Sequence, residues 1–278
     1  MDTRTISTAS GTMAYVDEGD GDRVSLFVHG VGTSSHLWRH VVAEFRAERR
    51  CVAIDLPLHG ATPPRADHSL PALAAAIEDF CDALGLTSVD LVANDTGGAV
   101  AQVFAAAHPE RLRTFTLTNC DVHDNLPPPA FEATVQAAER GELAAGLTAA
   151  TSNAAIARAI YATGYEHPDQ LAEETLFAYV RPIAGTPERA RAFEQLLVGL
   201  DAAELLAAEP GLRKLDVPTL VVWGTGDHFF DVTWAHWLRD TIPGASDDVV
   251  LIEGAKLFFP DERAAEFVPH LRRHWAEH

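Results

Sequence analysis

The stretch DLVANDTGGAVAQ, residues 90–102, passes from an apolar segment into an amphipathic one through Ala93-Asn94-Asp95-Thr96-Gly97-Gly98. Small residues two before and two after Asp95 suit a sharp strand–turn–helix elbow, which must pack closely against its neighbours. Such a turn lifts its central side chain to a helix N-terminus, where negative charge is favoured. A carboxylate held there can serve as a nucleophile or a base. Aspartate is also a common plain helix N-cap, and the stretch alone leaves both readings open.

Four more stretches place polar residues directly after apolar runs: FVHGVGTSSHLWR (27–39), AIDLPLHGAT (53–62), VVWGTGDHFFDVTWAHWLRDTIPGA (221–245) and LIEGAKLFFPDER (251–263). The apolar runs at 25–30, 51–57, 89–95, 113–120, 218–224 and 248–254 read as buried strands. They alternate with amphipathic helical patterns such as 70–86 and 97–112. Near-continuous hydrophobic strands between helices mean a mostly parallel sheet covered on both faces. In such sheets a ligand lies beyond the carboxyl ends of the strands, which is where these polar residues fall. The alternation breaks at 125–212, an alanine-rich segment of helical period entered through Pro127-Pro128-Pro129. The expected organisation is therefore a core of 1–124 and 213–278 with 125–212 as a helical cap.

Together these motifs resemble the α/β-hydrolase superfamily, in its aspartate-nucleophile branch of haloalkane dehalogenases and epoxide hydrolases. The resemblance covers roughly 10–124 and 213–275, and 125–212 stands where that family carries its cap. It implies an α/β fold, a mostly parallel doubly wound sheet with an α-helical insertion, and no cofactor. It further implies that Asp95 attacks an electrophilic carbon to form an alkyl ester. His29, Gly30 and Val31 form the oxyanion side with Thr96, and Asp227 is the acid that orients a histidine.

That histidine is not where the resemblance puts it. Leu257 fills its slot, and a one-residue slip would offer Lys256, which works as a base only if burial lowers its pKa. His123, in TNCDVHDN (118–125), is the expected replacement, flanked by Asp121 and Asp124, with a hinge or capping role as its plain alternative. His228 is a second candidate, and a surface histidine in its plain reading. The halide donors of the dehalogenases, a tryptophan and an asparagine, are replaced by Thr96 and Val31. Epoxide opening needs acids in the cap, for which Tyr161, Tyr165 and Tyr179 are available unless they are packing aromatics.

The remaining patterns say little about chemistry. His36 with His40, and His270 with His274, have i,i+4 spacing but no third ligand nearby, so no metal site is expected. His59 and His108 read as structural, and GTGD at 224–227 lacks the continuation of a phosphate loop. Cys51, Cys81 and Cys120 are widely spaced and show no metal or redox spacing, which points to a reduced, cytoplasmic setting. With 40 acidic against 21 basic residues, the net charge of −19 repels phosphate backbones and anionic lipid. The expected partner is a small molecule, with neither nucleic acid nor membrane, and the chain acts as a monomer or homodimer. The function these features support is hydrolysis of a small, largely apolar epoxide- or ester-like substrate with a non-standard base. Two alternatives stand beside it: an isomerase, lyase or cyclase using Asp95 as base or anchor, and a catalytically retired binding protein.

Overall fold

A computed structural model describes residues 2–278. Eight strands form one sheet: β1 (Thr3–Thr8), β2 (Gly11–Glu18), β3 (Val24–Val28), β4 (Arg50–Asp55), β5 (Val89–Asp95), β6 (Leu112–Cys120), β7 (Thr219–Gly224) and β8 (Val250–Ile252). Their order is β1-β2-β4-β3-β5-β6-β7-β8. From β4 onward neighbours pair in parallel, while β1–β2 and β2–β4 are antiparallel. The six apolar runs of the sequence are β3 to β8, although β8 is three residues long where 248–254 was expected. β1 and β2 carry no such run: β1, Thr-Arg-Thr-Ile-Ser-Thr, is an exposed edge strand with no apolar signature.

The centre of the sheet explains its register. All seven residues of β5 are buried, and each buried Val or Leu there is worth roughly 1.5–3 kcal/mol over an exposed one. A one-residue slip would exchange the faces against which these side chains pack. At the amino end of β5 the buried Asp90 is fully compensated: Arg49 pairs with it, Arg113 reaches it at 3.1 Å and Thr114 donates to it at 2.9 Å.

Helices run through the inserted segment from Glu132 to Leu212, with no strand among the described residues there. The last of them, Ala202–Leu212, packs on the core helix Thr96–Ala107 rather than over the strand ends. Its close approach is set by Gly211, where an added Cβ would lie 2.6 Å from the Ala106 methyl. The helices covering the strand ends therefore finish at Gly199, earlier than the boundary expected at 212.

Candidate active site

Asp95 sits at the junction of β5 and the helix Thr96–Ala107 with φ 57° and ψ −142°. This backbone conformation costs about 1–3 kcal/mol in a non-glycine residue and is held only by its surroundings. Those surroundings are glycines: a Cβ on Gly30 would come within 2.2 Å of the Asp95 carboxylate, and one on Gly97 within 2.2 Å of the His29 carbonyl. Asn94, just before the elbow, donates to the Thr118 hydroxyl at 2.9 Å and the Leu257 carbonyl at 3.0 Å, tying three strand ends together.

The loop after β3 is fixed by two neutral histidines. His29 Nε2 accepts from Leu56 N at 3.0 Å, so its Nδ1 carries the proton and donates to the Gly30 carbonyl at 2.7 Å. His59 Nε2 accepts from Gly32 N at 3.1 Å and its Nδ1 donates to the Pro57 carbonyl at 3.0 Å. Burial lowers the pKa of both, most strongly for His59. Asp55 completes the brace, accepting from Ser35 N at 2.8 Å and Ala61 N at 2.9 Å. The loop thereby brings the Val31 backbone N–H near Asp95, beside that of Thr96, while the Asp95 side chain makes no capping hydrogen bond. Two N–H groups aimed at one carboxylate also suit the oxyanion that forms when an ester on that carboxylate is attacked.

Above Asp95 lies a cavity of about 390 Å³. Its walls come from the helical insertion and the strand-end loops, among them Leu126, Leu147, Phe193, Leu197, Phe230 and Leu257. The floor is polar: Asp95, Thr96 and Asp121. Burial raises the pKa of Asp95 well above the usual carboxylate range, and the nearby charges of Asp121 and Asp227 push the same way. The backbone N–H groups of Thr96 and Val31 oppose this. Burial raises Asp121 to about 7. The Thr96 hydroxyl lies near enough to hold that rise in check, though outside hydrogen-bond geometry, for neither oxygen of Asp121 has a partner.

Asp227 is half-buried, and burial raises its pKa to about 6. It accepts from Phe229 N at 2.9 Å and from Asn119 Nδ2 at 2.8 Å. Asn119 clasps the end of β7, also accepting from Gly224 N at 2.7 Å. It orients the acid from beneath, a role the sequence reading did not assign. A buried asparagine ending an apolar strand was its one visible signal.

The structure does not bring His123 to this cavity. Its φ of 56° turns the ring outward, where Nδ1 meets Glu209 at 2.8 Å and the imidazole stacks on Trp237 with ring centroids 4.9 Å apart. From the same segment it is Asp121 that reaches the floor. His228 is exposed and Lys256 is half-exposed, and neither lines the cavity. Leu257 does, with its side chain buried. Of the three cap tyrosines only Tyr161 faces the cavity, and its hydroxyl donates to the Gly32 carbonyl at 2.8 Å. Tyr165 instead donates to Asp261 at 2.9 Å and meets Tyr179 at 3.3 Å, in a buried network with Arg39.

The family described as alpha/beta hydrolase fold matches residues 26–160. This chain has the α/β-hydrolase fold. Haloalkane dehalogenases and epoxide hydrolases are among its homologues. A haloalkane dehalogenase of Mesorhizobium japonicum is 37% identical over 108 residues, covering 38% of this chain and 35% of that protein. Epoxide hydrolase 4 of Mus musculus is 34% identical over 109 residues, 38% of this chain and 30% of that one. These two matches span only about a third of each relative's length. Haloalkane dehalogenase 2 of Mycobacterium bovis aligns over 96% of this α/β-hydrolase-fold chain and 94% of its own, at 29% identity. Among solved structures, haloalkane dehalogenase DbeA from Bradyrhizobium elkani superposes with a TM-score of 0.81 at 22% identity, covering 100% of this chain and 99% of that one. A likeness at that identity shows the fold and no particular activity. No helix among the described residues is long and apolar enough to cross a membrane.

Proposed function

We propose that this chain hydrolyses small, largely apolar electrophiles through an ester formed on Asp95, with Asp121 giving and taking the proton. The observation that carries the reading is the placing of Asp95: on a strained elbow, against the N–H groups of Val31 and Thr96, with Asp121 beside it on the floor of an apolar cavity. A group whose pKa is raised to about 7 suits proton transfer at neutral pH in either direction.

For an epoxide, an oxygen of Asp95 forms a C–O bond as the ring C–O bond breaks, and Asp121 protonates the departing oxygen. The Asp121 carboxylate then takes a proton from water, and the hydroxide adds to the ester carbonyl. The N–H groups of Val31 and Thr96 hold the resulting oxyanion. Collapse expels the product alkoxide, which takes up the proton of the new Asp95 acid, and both carboxyls return to their starting states. Tyr161 supplies no acid, being committed to Gly32. Halide removal is less favoured, since Thr96 offers a hydroxyl and Val31 only its backbone.

A single turnover in ¹⁸O-water, followed by mass analysis of the peptide holding Asp95, tests the reading. Label is expected in the Asp95 carboxylate, and Asp121→Asn is expected to accumulate the ester. Labelled product from an unlabelled Asp95 would sink the reading in favour of direct attack by water. Product with no oxygen added, together with an unlabelled Asp95, would favour an isomerase, lyase or cyclase, for which the raised pKa of Asp95 speaks, since an acid that holds its proton is a better donor than nucleophile.

A further inference from the structure

Among the described residues no Lys, Arg or His lines the cavity. Its charged groups are all carboxyls: Asp95 and Asp121 on the floor and Glu142 at the rim, where Arg140 on the outer surface meets it at 2.8 Å. Asp227 adds a third carboxyl close to the floor, held only by Asn119 and backbone N–H groups. Asp121 is 1% exposed and aimed into the cavity, yet neither of its oxygens has a hydrogen-bond partner. Burying an unpaired carboxylate is costly, and at Asp90 the same fold avoids that cost with two arginines. Six aromatic residues line the cavity: Phe131, Tyr161, Phe193, Phe229, Phe230 and Phe258. Free carboxylate oxygens in an aromatic-lined cavity are what a desolvated cation needs. A net charge of −19 also draws cations toward the protein.

We propose that the ligand of this cavity is an apolar amine, its ammonium seated against Asp121 and its hydrocarbon body among the aromatic walls. The proposal rests on the cavity being the substrate site and names the class of that substrate. An ammonium brings three donors to the two free oxygens of Asp121 and to Asp95, whereas an alcohol brings one. Seated there, the ammonium protonates the leaving oxygen in place of Asp121, and Asp121, ionised, takes the proton of the attacking water and returns it to the amine.

The test is calorimetric titration of the wild-type protein with 4-phenylbutylamine and with 4-phenylbutan-1-ol, neither of which carries an electrophilic centre for Asp95. The amine is expected to bind at least about tenfold more tightly than the alcohol. Asp121→Asn, shown to be folded by its melting curve, is expected to erase that preference. Equal or tighter binding of the alcohol overturns the proposal, as does failure of both to bind or a preference that survives Asp121→Asn. Because no turnover is read, a preference for the amine stands even if Asp95 takes up no label, and label in Asp95 stands even if the preference fails.

Discussion

The two ends of strand β5 treat a buried aspartate in opposite ways. At the amino end Asp90 is enclosed by Arg49, Arg113 and Thr114, so its charge is answered on every side. At the carboxyl end Asp95 meets two backbone N–H groups and two further carboxyls, Asp121 and Asp227, with no basic side chain among the described residues lining the space above. Both side chains are out of water, so burial alone does not separate structural from functional acid. What separates them is compensation. The paired end pins the strand, whereas the unpaired end holds electrostatic potential that only a proton or a ligand can relieve.

The largest effect expected is on turnover. Asp95→Asn keeps the shape of the elbow but removes the nucleophile, and activity on an epoxide substrate should fall by on the order of 10⁴-fold with no covalent adduct by intact mass. Retained activity in a folded variant would break the contrast, because Asp95 would then be as structural as Asp90.

Next come two stability changes of opposite sign. Asp90→Asn leaves Arg49 buried without its partner and should cost about 3–5 kcal/mol in urea unfolding. Asp121→Asn removes an uncompensated carboxyl and should raise stability at pH 8 by roughly 1–3 kcal/mol. Destabilisation in both variants would mean that Asp121 is as well supported as Asp90.

The pH dependence sharpens the same point. Asp121, raised to about 7, and Asp227, raised to about 6, keep their protons in the folded state where the unfolded chain has lost them. At these two sites the folded state binds more protons between pH 4 and 7, so their contribution to stability falls as pH rises, against the opposite slope of the buried neutral His29 and His59. For Asp121 the fall amounts to at most about 4 kcal/mol, and Asp121→Asn should flatten it. Thermal melts at one-unit steps from pH 4 to 8 read it directly. A difference between wild type and Asp121→Asn that rises over that range would contradict the assignment. The smallest effect is at Tyr161→Phe, which loses the hydrogen bond to Gly32 and should lower stability by about 1 kcal/mol while sparing turnover.

Much of this architecture was legible in the sequence, for a physical reason. Strands β3 to β8 belong to the parallel sheet and are mostly buried on both faces, so they stand out as apolar runs. The edge strand β1 faces water and has no such mark. The elbow at Asp95 was legible because its requirements are local, all lying within six residues. Asp121 was harder to recognise. Whether it, His123 or Asp124 points into the cavity depends on how the chain turns after β6, where His123 adopts a positive φ. Tyr161 was harder still, since what its hydroxyl can do is set by a carbonyl 129 residues earlier in the chain.

Beyond Leu257 the chain is stitched to the insertion residue by residue. Phe258 N donates to the Gly164 carbonyl at 2.9 Å, Glu262 accepts from Glu166 N and His167 N at 2.7 Å each, and Tyr165 reaches Asp261. Phe258 also packs where a Gly164 side chain would stand. This edge of the cavity is riveted shut. On the helix Ala154–Tyr161, by contrast, Ile156 and Ile160 line the cavity while 37% and 42% exposed to water. The stitched edge is closed to a guest, whereas the sill that meets both water and cavity is hydrocarbon at these two side chains.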